Sequence, residues 1–213
     1  MRDTLLFDLD GTLVDTAPDL VRATNAVIAM DDRPPVGLAE LRTYVGHGAR
    51  HLIRRAYKAD IADERVEELF RHFLRIYADG IADSSTPFPG VVETLAMLKR
   101  GGSELHVCTN KPGGLARELI GKLGLAELFG RIVGADDLPR NKPHSDHVFA
   151  AAGHMERDRI VLVGDSATDV QAARNARVRS ILVTYGYSPE RPETLRADAV
   201  VSRFADIGAH LDG

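Results

Sequence analysis

The stretch LLFDLDGTLV, residues 5–14, sets the organisation of the rest of the chain. Its apolar residues Leu5, Leu6 and Phe7 form a run long enough for a short buried strand. Asp8 and Asp10 follow at once, ahead of a glycine that lets the backbone turn. The stretch therefore predicts two carboxylates at the carboxyl end of a buried strand, which is the edge where open α/β sheets bind ligands.

Strand and helix patterns alternate through the second half of the chain. Amphipathic helical patterns separate five strand-like runs: ELHVCTN (104–110), RIVGADD (131–137), RIVLVGD (159–165), SILVTYG (180–186) and DAVVSRF (198–204). Such alternation predicts a parallel sheet with right-handed crossovers, and hence an α/β fold.

The segment between the first strand and this alternating region has a different character. From Ala17 to about Ala82 the apolar spacing is helical and no convincing strand appears. STPFPG, residues 85–90, then reads as a linker. We therefore predict one α/β core formed by residues 1–14 and 87–213, interrupted by a small helical domain at 15–86.

Composition excludes several classes of partner. The 213 residues carry a formal net charge of -4, which gives no electrostatic reason to expect nucleic acid or an anionic membrane as a partner. No apolar run approaches the ~18 residues of a spanning helix, and no signal-peptide pattern precedes the first strand. The single cysteine, Cys108, fits a reducing compartment. We expect a cytoplasmic protein with no membrane partner.

Polar residues follow the strand-like runs of the core. Thr109, Asn110 and Lys111 come after one run, and Asp165 ends another. Lys142 stands in the loop after the third strand. If these strands are neighbours, their loops place a hydroxyl, an ammonium group and further carboxylates around the first two aspartates.

Four motifs carry a resemblance to a known family. The chain segments DLDGTLVDT, TNK, the Lys142-Pro143 pair and GDSATD resemble, in order and spacing, the motifs of the haloacid dehalogenase superfamily of phosphohydrolases. The helical insert is similar to the cap of its phosphoglycolate phosphatase branch, which YVGHGARHLI and YGYSP resemble more narrowly. The resemblance implies a Rossmann-like parallel sheet with an inserted α-helical cap. Arg177 departs from the pattern, since family members commonly carry glycine at that helix end.

Phosphate-ester hydrolysis explains these residue types. A carboxylate can attack phosphorus and form an aspartyl phosphate, and we assign this nucleophile to Asp8. Asp10 is placed to protonate the leaving group and later to deprotonate water. Thr109, the Asn110 amide and Lys142 would bind the phosphoryl oxygens and stabilise their charge.

A carboxylate that faces a phosphate dianion requires a divalent cation, and an all-oxygen site with few carboxylates suits Mg²⁺. We predict the Asp8 and Asp165 side chains and, by resemblance, the Asp10 backbone carbonyl as its ligands. Asp169, with Ser166 beside it, is predicted to orient Lys142 or a metal-bound water. Further predicted substrate contacts are Gly11, Thr12, Asn110, His47, Gly48 and Arg50.

The loop Tyr44–Arg50 is the predicted reader of the distal end of the substrate. Its glycines end one helix before another starts, so the amides near Gly48 and Ala49 are unpaired donors at a positive helix end. Such a site could bind the carboxylate of phosphoglycolate, with Arg50 or His47 adding charge. The alternative is an ordinary interhelical turn with Arg50 in solvent.

The favoured function is a Mg²⁺-dependent phosphatase for a small phosphorylated metabolite, with 2-phosphoglycolate as the best single substrate. A sugar phosphate, a nucleoside monophosphate or pyrophosphate stays open as the substrate. A phosphosugar mutase of the same superfamily is disfavoured, because such enzymes usually carry a histidine where this chain has Leu20. A receiver-like phosphoaspartate module would have no use for Asp10 or for a helical lid.

Overall fold

The computed structural model describes residues 3–211 and contains one large parallel sheet. The strands are β1 (Thr4–Phe7), β2 (Val14–Asp15), β3 (Thr86–Pro87), β4 (Glu104–Cys108), β5 (Arg131–Val133), β6 (Ile160–Gly164), β7 (Arg179–Val183) and β8 (Ala199–Val201). Six of them form the sheet in the order β5-β4-β1-β6-β7-β8, with every neighbouring pair parallel. The predicted α/β fold is confirmed.

The helices fall into two groups along the chain. They are α1 (Ala17–Ile28), α2 (Leu38–Arg42), α3 (Ala49–Tyr57), α4 (Asp63–Asp79), α5 (Val91–Arg100), α6 (Gly113–Lys122), α7 (Ser145–Ala152), α8 (Ala167–Ala176) and α9 (Pro192–Leu195). The first four follow one another without a strand of the large sheet, and the others alternate with its strands. No helix in residues 3–211 is long and apolar enough to cross a membrane.

Strand β1 lies in the middle of the sheet, hydrogen-bonded to β4 on one side and to β6 on the other. All four of its residues are buried, which explains why it reads as a continuous apolar run and not as an alternating one. Helices cover a parallel sheet on both faces, so both faces of its central strand meet apolar side chains. The central position of β1 places the loop that follows it between the loops of its two neighbours.

A small antiparallel pair, β2 with β3, stands where the chain enters and leaves the helical segment. Val14 pairs with Pro87 and Asp15 with Thr86, so the two connections run side by side. The sequence pattern did not predict this pair, because two-residue strands are too short to show a periodicity. Nearby, the buried Asp19 Oδ2 accepts hydrogen bonds from the backbone N–H groups of Ser84 and Ser85 and from the Ser85 hydroxyl.

Helix α8 ends at the residue that departs from the family pattern. Arg177 adopts φ 56° and ψ 47°, the left-handed conformation that favours glycine after a helix. Its side chain is exposed. An arginine at this position therefore carries a local conformational cost.

Candidate active site

Three loops meet at the carboxyl ends of β1, β4 and β6. Asp8 follows β1 directly, Thr109 follows β4, and Asp165 follows β6. Gly11 turns the first loop with φ 87°, and a Cβ atom built on it would lie 2.6 Å from Asp165 Oδ2. Glycine is therefore required here for both its backbone conformation and its lack of a side chain. The parallel order of the sheet brings together the polar residues that are far apart in the sequence.

Asp8 is buried at the base of this site and faces a cation. Its Oδ1 atom lies 2.9 Å from Lys142 Nζ, yet it accepts no hydrogen bond of good geometry from any described residue. Burial raises the pKa of the Asp8 carboxyl to about 6, against the lowering effect of Lys142. Asp8 thus presents a desolvated oxygen with spare acceptor capacity, as expected of a nucleophile or a metal ligand.

Lys142 is held between two carboxylates. Its Nζ atom lies 2.6 Å from Asp169 Oδ1 as well as 2.9 Å from Asp8 Oδ1. Burial alone would lower the pKa of this ammonium group, but the charges of Asp169 and Asp8 outweigh burial and raise it. Asp169 Oδ2 accepts from the backbone N–H (3.1 Å) and hydroxyl (2.6 Å) of Ser166 in a capping box that begins α8. Asp169 thus contacts Lys142 directly, and its orienting role stays a prediction.

Asp165 completes a cluster of three buried carboxylates. One oxygen from each of Asp8, Asp165 and Asp169 lies within 4.8 Å of the other two. Burial, and then the charges of Asp169 and Asp8, raise the pKa of Asp165 to about 8. Oxygen donors at this spacing are a set that fits a hard divalent cation. Lys142 and Ser166 engage the two oxygens of Asp169, and the predicted ligand roles of Asp8 and Asp165 stay predictions.

Asp165 accepts hydrogen bonds from Thr12 and Tyr187. Thr12, predicted to contact substrate, is fully buried and donates from its hydroxyl to Asp165 Oδ1 at 3.0 Å. The Tyr187 backbone N–H donates to Asp165 Oδ2 at 2.7 Å, and the Tyr187 hydroxyl donates to Asp15 at 2.6 Å beside the β2–β3 pair. Tyr187 was missed as a site residue, although the YGYSP segment that contains it pointed to this region.

A cavity opens above Asp8 between the sheet and the helical segment. Its walls combine polar residues of the core loops with mainly apolar residues of α1, α3, α4 and the loop before α3. The lining residues are Asp8, Asp10, Leu20, Val45, Gly46, Gly48, Ala49, Leu52, Phe73, Tyr77, Thr109, Asn110, Lys111, Pro112 and Leu115. Leu20 thus faces the cavity with an apolar side chain that cannot relay a proton.

The second aspartate of the first motif is paired with a lysine. Lys111 Nζ donates to Asp10 at 3.0 Å (Oδ1) and 3.3 Å (Oδ2) and to the hydroxyl of Tyr77 on α4 at 2.7 Å. Both Lys111 and Tyr77 are buried. Lys111 was expected among the polar residues after this strand but was given no role, and Tyr77 was not predicted as a site residue.

The other residues of the TNK segment tie loops together. Asn110 Nδ2 donates to the Lys142 carbonyl at 3.0 Å and to the Gly46 carbonyl of the helical segment at 3.3 Å. Thr109 is buried beneath the cavity, and its Oγ1 accepts from the Lys111 backbone N–H at 3.2 Å. The contacts of both residues with a phosphoryl group stay predictions.

The predicted cap loop is only partly turned toward the cavity. Gly48 begins α3 with φ 86° and lines the cavity together with Ala49. Arg50 instead pairs with Glu67, donating from Nη2 to Oε2 at 2.9 Å, and its guanidinium carbon lies 3.8 Å from the centre of the Phe70 ring. His47 Nδ1 lies 3.4 Å from the Thr168 hydroxyl. The predicted roles of Arg50 and His47 in binding a carboxylate stay predictions.

Comparison with known proteins places this site in a family. A phosphoglycolate phosphatase from Caulobacter vibrioides is 46% identical over 209 residues, covering 96% of this chain and 88% of the relative. One from Agrobacterium fabrum is 41% identical over 209 residues, covering 95% and 89%. The crystal structure of a predicted phosphoglycolate phosphatase from Haemophilus somnus superposes with a TM-score of 0.89 at 30% identity, covering 98% and 97%. The model of the haloacid dehalogenase-like hydrolases matches residues 5–183, and the chain belongs to that family.

Proposed function

We propose that this protein is a Mg²⁺-dependent phosphatase that hydrolyses 2-phosphoglycolate to glycolate and phosphate through an aspartyl phosphate on Asp8. One observation carries the proposal: Asp8, with an oxygen that accepts no hydrogen bond within the described chain, lies beside Lys142 at the base of a cavity that Asp10 also lines. Nucleophile, acid–base residue and charge-stabilising lysine thus surround one small volume, as phosphoryl transfer requires.

The reaction is two displacements at phosphorus. In the first, an Asp8 oxygen forms a bond to phosphorus while the ester P–O bond breaks, and the departing glycolate oxygen takes a proton from Asp10. In the second, water attacks the same phosphorus after losing a proton to Asp10. The bond to Asp8 then breaks, so phosphate leaves and both carboxyl groups return to their starting states.

Lys142 and Thr109 are the proposed partners of the phosphoryl oxygens. Lys142 is oriented by Asp169, and this rigid placement means that little reorganisation is needed as charge develops. Asp8 and Asp165 would hold Mg²⁺ together with the Asp10 carbonyl. The cation would neutralise phosphate charge and hold the reacting oxygens in line. Ser166 contributes indirectly, through its hydrogen bonds to Asp169.

Residues 15–86 are proposed as a cap that closes over the core of residues 1–14 and 87–213. Hydrogen bonds cross the cleft from Lys111 to Tyr77 and from Asn110 to the Gly46 carbonyl. A seated cap excludes water from the aspartyl phosphate and strengthens the electrostatic interactions inside the cavity. The backbone amides near Gly48, at the start of α3, are the proposed cap contact with one oxygen at the distal end of the substrate.

The choice of substrate is supported by the relatives and by the cavity. The relatives named above carry the name phosphoglycolate phosphatase at up to 46% identity. Leu20, Leu52 and Phe73 give the cap side of the cavity largely apolar walls, and the Tyr77 hydroxyl there is already engaged with Lys111, so few groups are left to hydrogen-bond the hydroxyl groups of a sugar. A short carboxylic substrate fits this lining better than a phosphosugar.

The test is a panel of phosphomonoesters ranked by kcat/KM with purified protein and Mg²⁺. We expect 2-phosphoglycolate to exceed sugar phosphates, nucleoside monophosphates and pyrophosphate. Asp8→Asn should abolish turnover of every substrate, because an amide cannot form the acyl phosphate. The exposed Asp60→Asn serves as the matched control and should retain wild-type rates. A different best substrate would refute the phosphoglycolate assignment, and substantial activity in Asp8→Asn would refute the nucleophile.

A further inference from the structure

The cavity contains a buried ammonium group that the proposed displacements do not use. The Lys111 side chain is 3% exposed, and its Nζ atom contacts Asp10 and the Tyr77 hydroxyl. A buried ammonium group is costly unless it is paired and hydrogen-bonded, so its placement here calls for a specific role. Asp10 alone does not explain it, because an acid–base residue needs no permanent cation beside it.

Lys111 is the cation that faces the substrate volume. Within residues 3–211 it is the one lysine, arginine or histidine that lines this cavity. Lys142 lies deeper, between Asp8 and Asp169, and Arg50 is committed to Glu67 on the surface. The core loop after β4 therefore brings to this cavity a positive charge that a carboxylate could use, independently of the charge predicted for the cap loop.

The position of Lys111 matches the length of the substrate. To protonate the ester oxygen, Asp10 must approach it within ~2.6–3.2 Å. Lys111 Nζ lies only 3.0 Å from Asp10 Oδ1, so the ammonium group is a close neighbour of any ester oxygen bound there. In 2-phosphoglycolate a single methylene separates that ester oxygen from the carboxylate. A carboxylate so near the ester oxygen falls within reach of Lys111.

An ammonium group has three N–H donors. The two Asp10 oxygens lie 3.0 and 3.3 Å from Nζ and can share one donor, and the Tyr77 hydroxyl takes another at 2.7 Å. One donor is left for a ligand. Because Tyr77 belongs to α4 and Lys111 to the core, this arrangement exists only when the helical segment is seated on the sheet.

Resting on the proposed function, we infer that Lys111 recognises the carboxylate of the substrate, with Tyr77 holding its ammonium group in place. Lys111 is thus the specificity-determining residue for short phosphorylated carboxylic acids. It selects substrates whose carboxylate lies one carbon from the ester oxygen, and it makes that selection in the closed state.

Ligands that are not hydrolysed distinguish recognition of the carboxylate from a purely structural role, in which Lys111 would only orient Asp10. 3-Phosphonopropionate reproduces the shape and charge of phosphoglycolate with a methylene in place of the ester oxygen. Propylphosphonate has the same chain length but no carboxylate. Their inhibition constants against p-nitrophenyl phosphate hydrolysis report binding without any proton transfer from Asp10.

Wild-type protein should prefer 3-phosphonopropionate over propylphosphonate by about 10- to 100-fold, the range for one charge-assisted hydrogen bond. Lys111→Met should bring that ratio close to 1, and Lys111→Arg should retain part of it. Tyr77→Phe should reduce the ratio several-fold while leaving propylphosphonate binding unchanged. The exposed Lys122→Met, the same substitution on α6, should keep the wild-type ratio.

A Lys111→Met protein that keeps the wild-type preference overturns the inference, and so does a wild-type protein without a preference. If Lys111→Met does not fold, Lys111→Arg and Tyr77→Phe provide the test. A preference for 3-phosphonopropionate equal to that of the wild type in both variants would contradict the assignment. The substrate panel decides the proposed function independently. If phosphoglycolate is the best substrate and yet Lys111→Met keeps the preference, only the role of Lys111 is wrong.

Discussion

Cation binding by the carboxylate cluster should strengthen steeply as the pH rises from 6 to 8. Burial raises the pKa of Asp8 to about 6 and that of Asp165 to about 8, both above the ordinary value of 3.8. A divalent cation needs both side chains ionised, so at pH 6 it must displace protons that are absent at higher pH.

The two pKa values set the size of the effect. With a pKa of about 8, Asp165 is ionised in roughly one molecule in 100 at pH 6 and in about half at pH 8. Asp8, with a pKa of about 6, goes from about half to nearly complete ionisation. The doubly ionised fraction thus rises ~100-fold, which corresponds to about 2.7 kcal/mol of additional stabilisation by bound Mg²⁺. For a chain of this size that is a gain of about 5–10 °C in Tm.

Without the cation, the contribution of these two groups to the stability of the fold changes in the opposite direction with pH. Because both folded-state pKa values are raised, the folded protein holds more protons than the unfolded chain between about pH 4 and 8. The contribution of these groups to the free energy of unfolding is fully present below pH 4 and is lost as the pH rises from about 4 to 8. These two groups should therefore lower the Tm of the metal-free protein as the pH rises from 6 to 8. The increase in Tm caused by Mg²⁺ should be larger at pH 8 than at pH 6.

Differential scanning fluorimetry in EDTA and in excess Mg²⁺ measures the cation-induced change in Tm at each pH. Asp165→Asn should show a small change that varies only about twofold in cation affinity between pH 6 and 8, because it removes both a ligand and the group with the higher pKa, leaving only Asp8 to titrate. Asp60→Asn, the same substitution on the surface, should behave as the wild type. An equal Mg²⁺-induced change at pH 6 and pH 8 in the wild type, or a larger one at pH 6, would refute this reasoning.

Three further predictions concern chemistry, metal choice and stability. Asp10→Asn should lower kcat by ~10²- to 10⁴-fold, the usual contribution of a general acid–base, and a change below tenfold in steady-state assays would contradict its role. Ca²⁺ should bind and inhibit in competition with Mg²⁺, because its preference for bidentate carboxylates would engage the Asp8 oxygen that must attack; equal activity in the two cations would exclude this account. Arg177→Gly should raise stability by up to ~1 kcal/mol, or about 2–4 °C in Tm, by relieving the left-handed conformation. Arg177→Ala keeps the Cβ atom and should show no such gain, so equal Tm values for the two variants would count against that explanation.

Much of the fold could be predicted because its signals are local. The strands of the core are continuous apolar runs, and their burial on both faces is what a parallel sheet covered by helices imposes. The two-residue strands β2 and β3 could not be predicted in this way. They exist only because the two connections of the helical segment are held side by side.

The residues of the site likewise divide into those with a local sequence signal and those placed only by tertiary packing. Asp8 and Asp10 could be identified because they sit next to a glycine turn at the end of a recognisable strand. The hydrogen bond from the Thr12 hydroxyl to Asp165, 153 residues away in the chain, could not be predicted. Its direction depends on the neighbouring loop after β6, which the sequence does not place beside it.

The sequence by itself therefore determined the kind of sheet, the edge that carries the chemistry and the pair of aspartates at its centre, since each follows from residues adjacent in the chain. Tertiary structure alone decided which cation faces the cavity. Arg50 and His47 were the candidates from the sequence, yet Glu67 on α4 binds Arg50 at the surface, while Tyr77 on the same helix contacts Lys111 inside. The Arg50–Glu67 ion pair forms only when α3 and α4 pack together, and no sequence pattern within either helix predicts it.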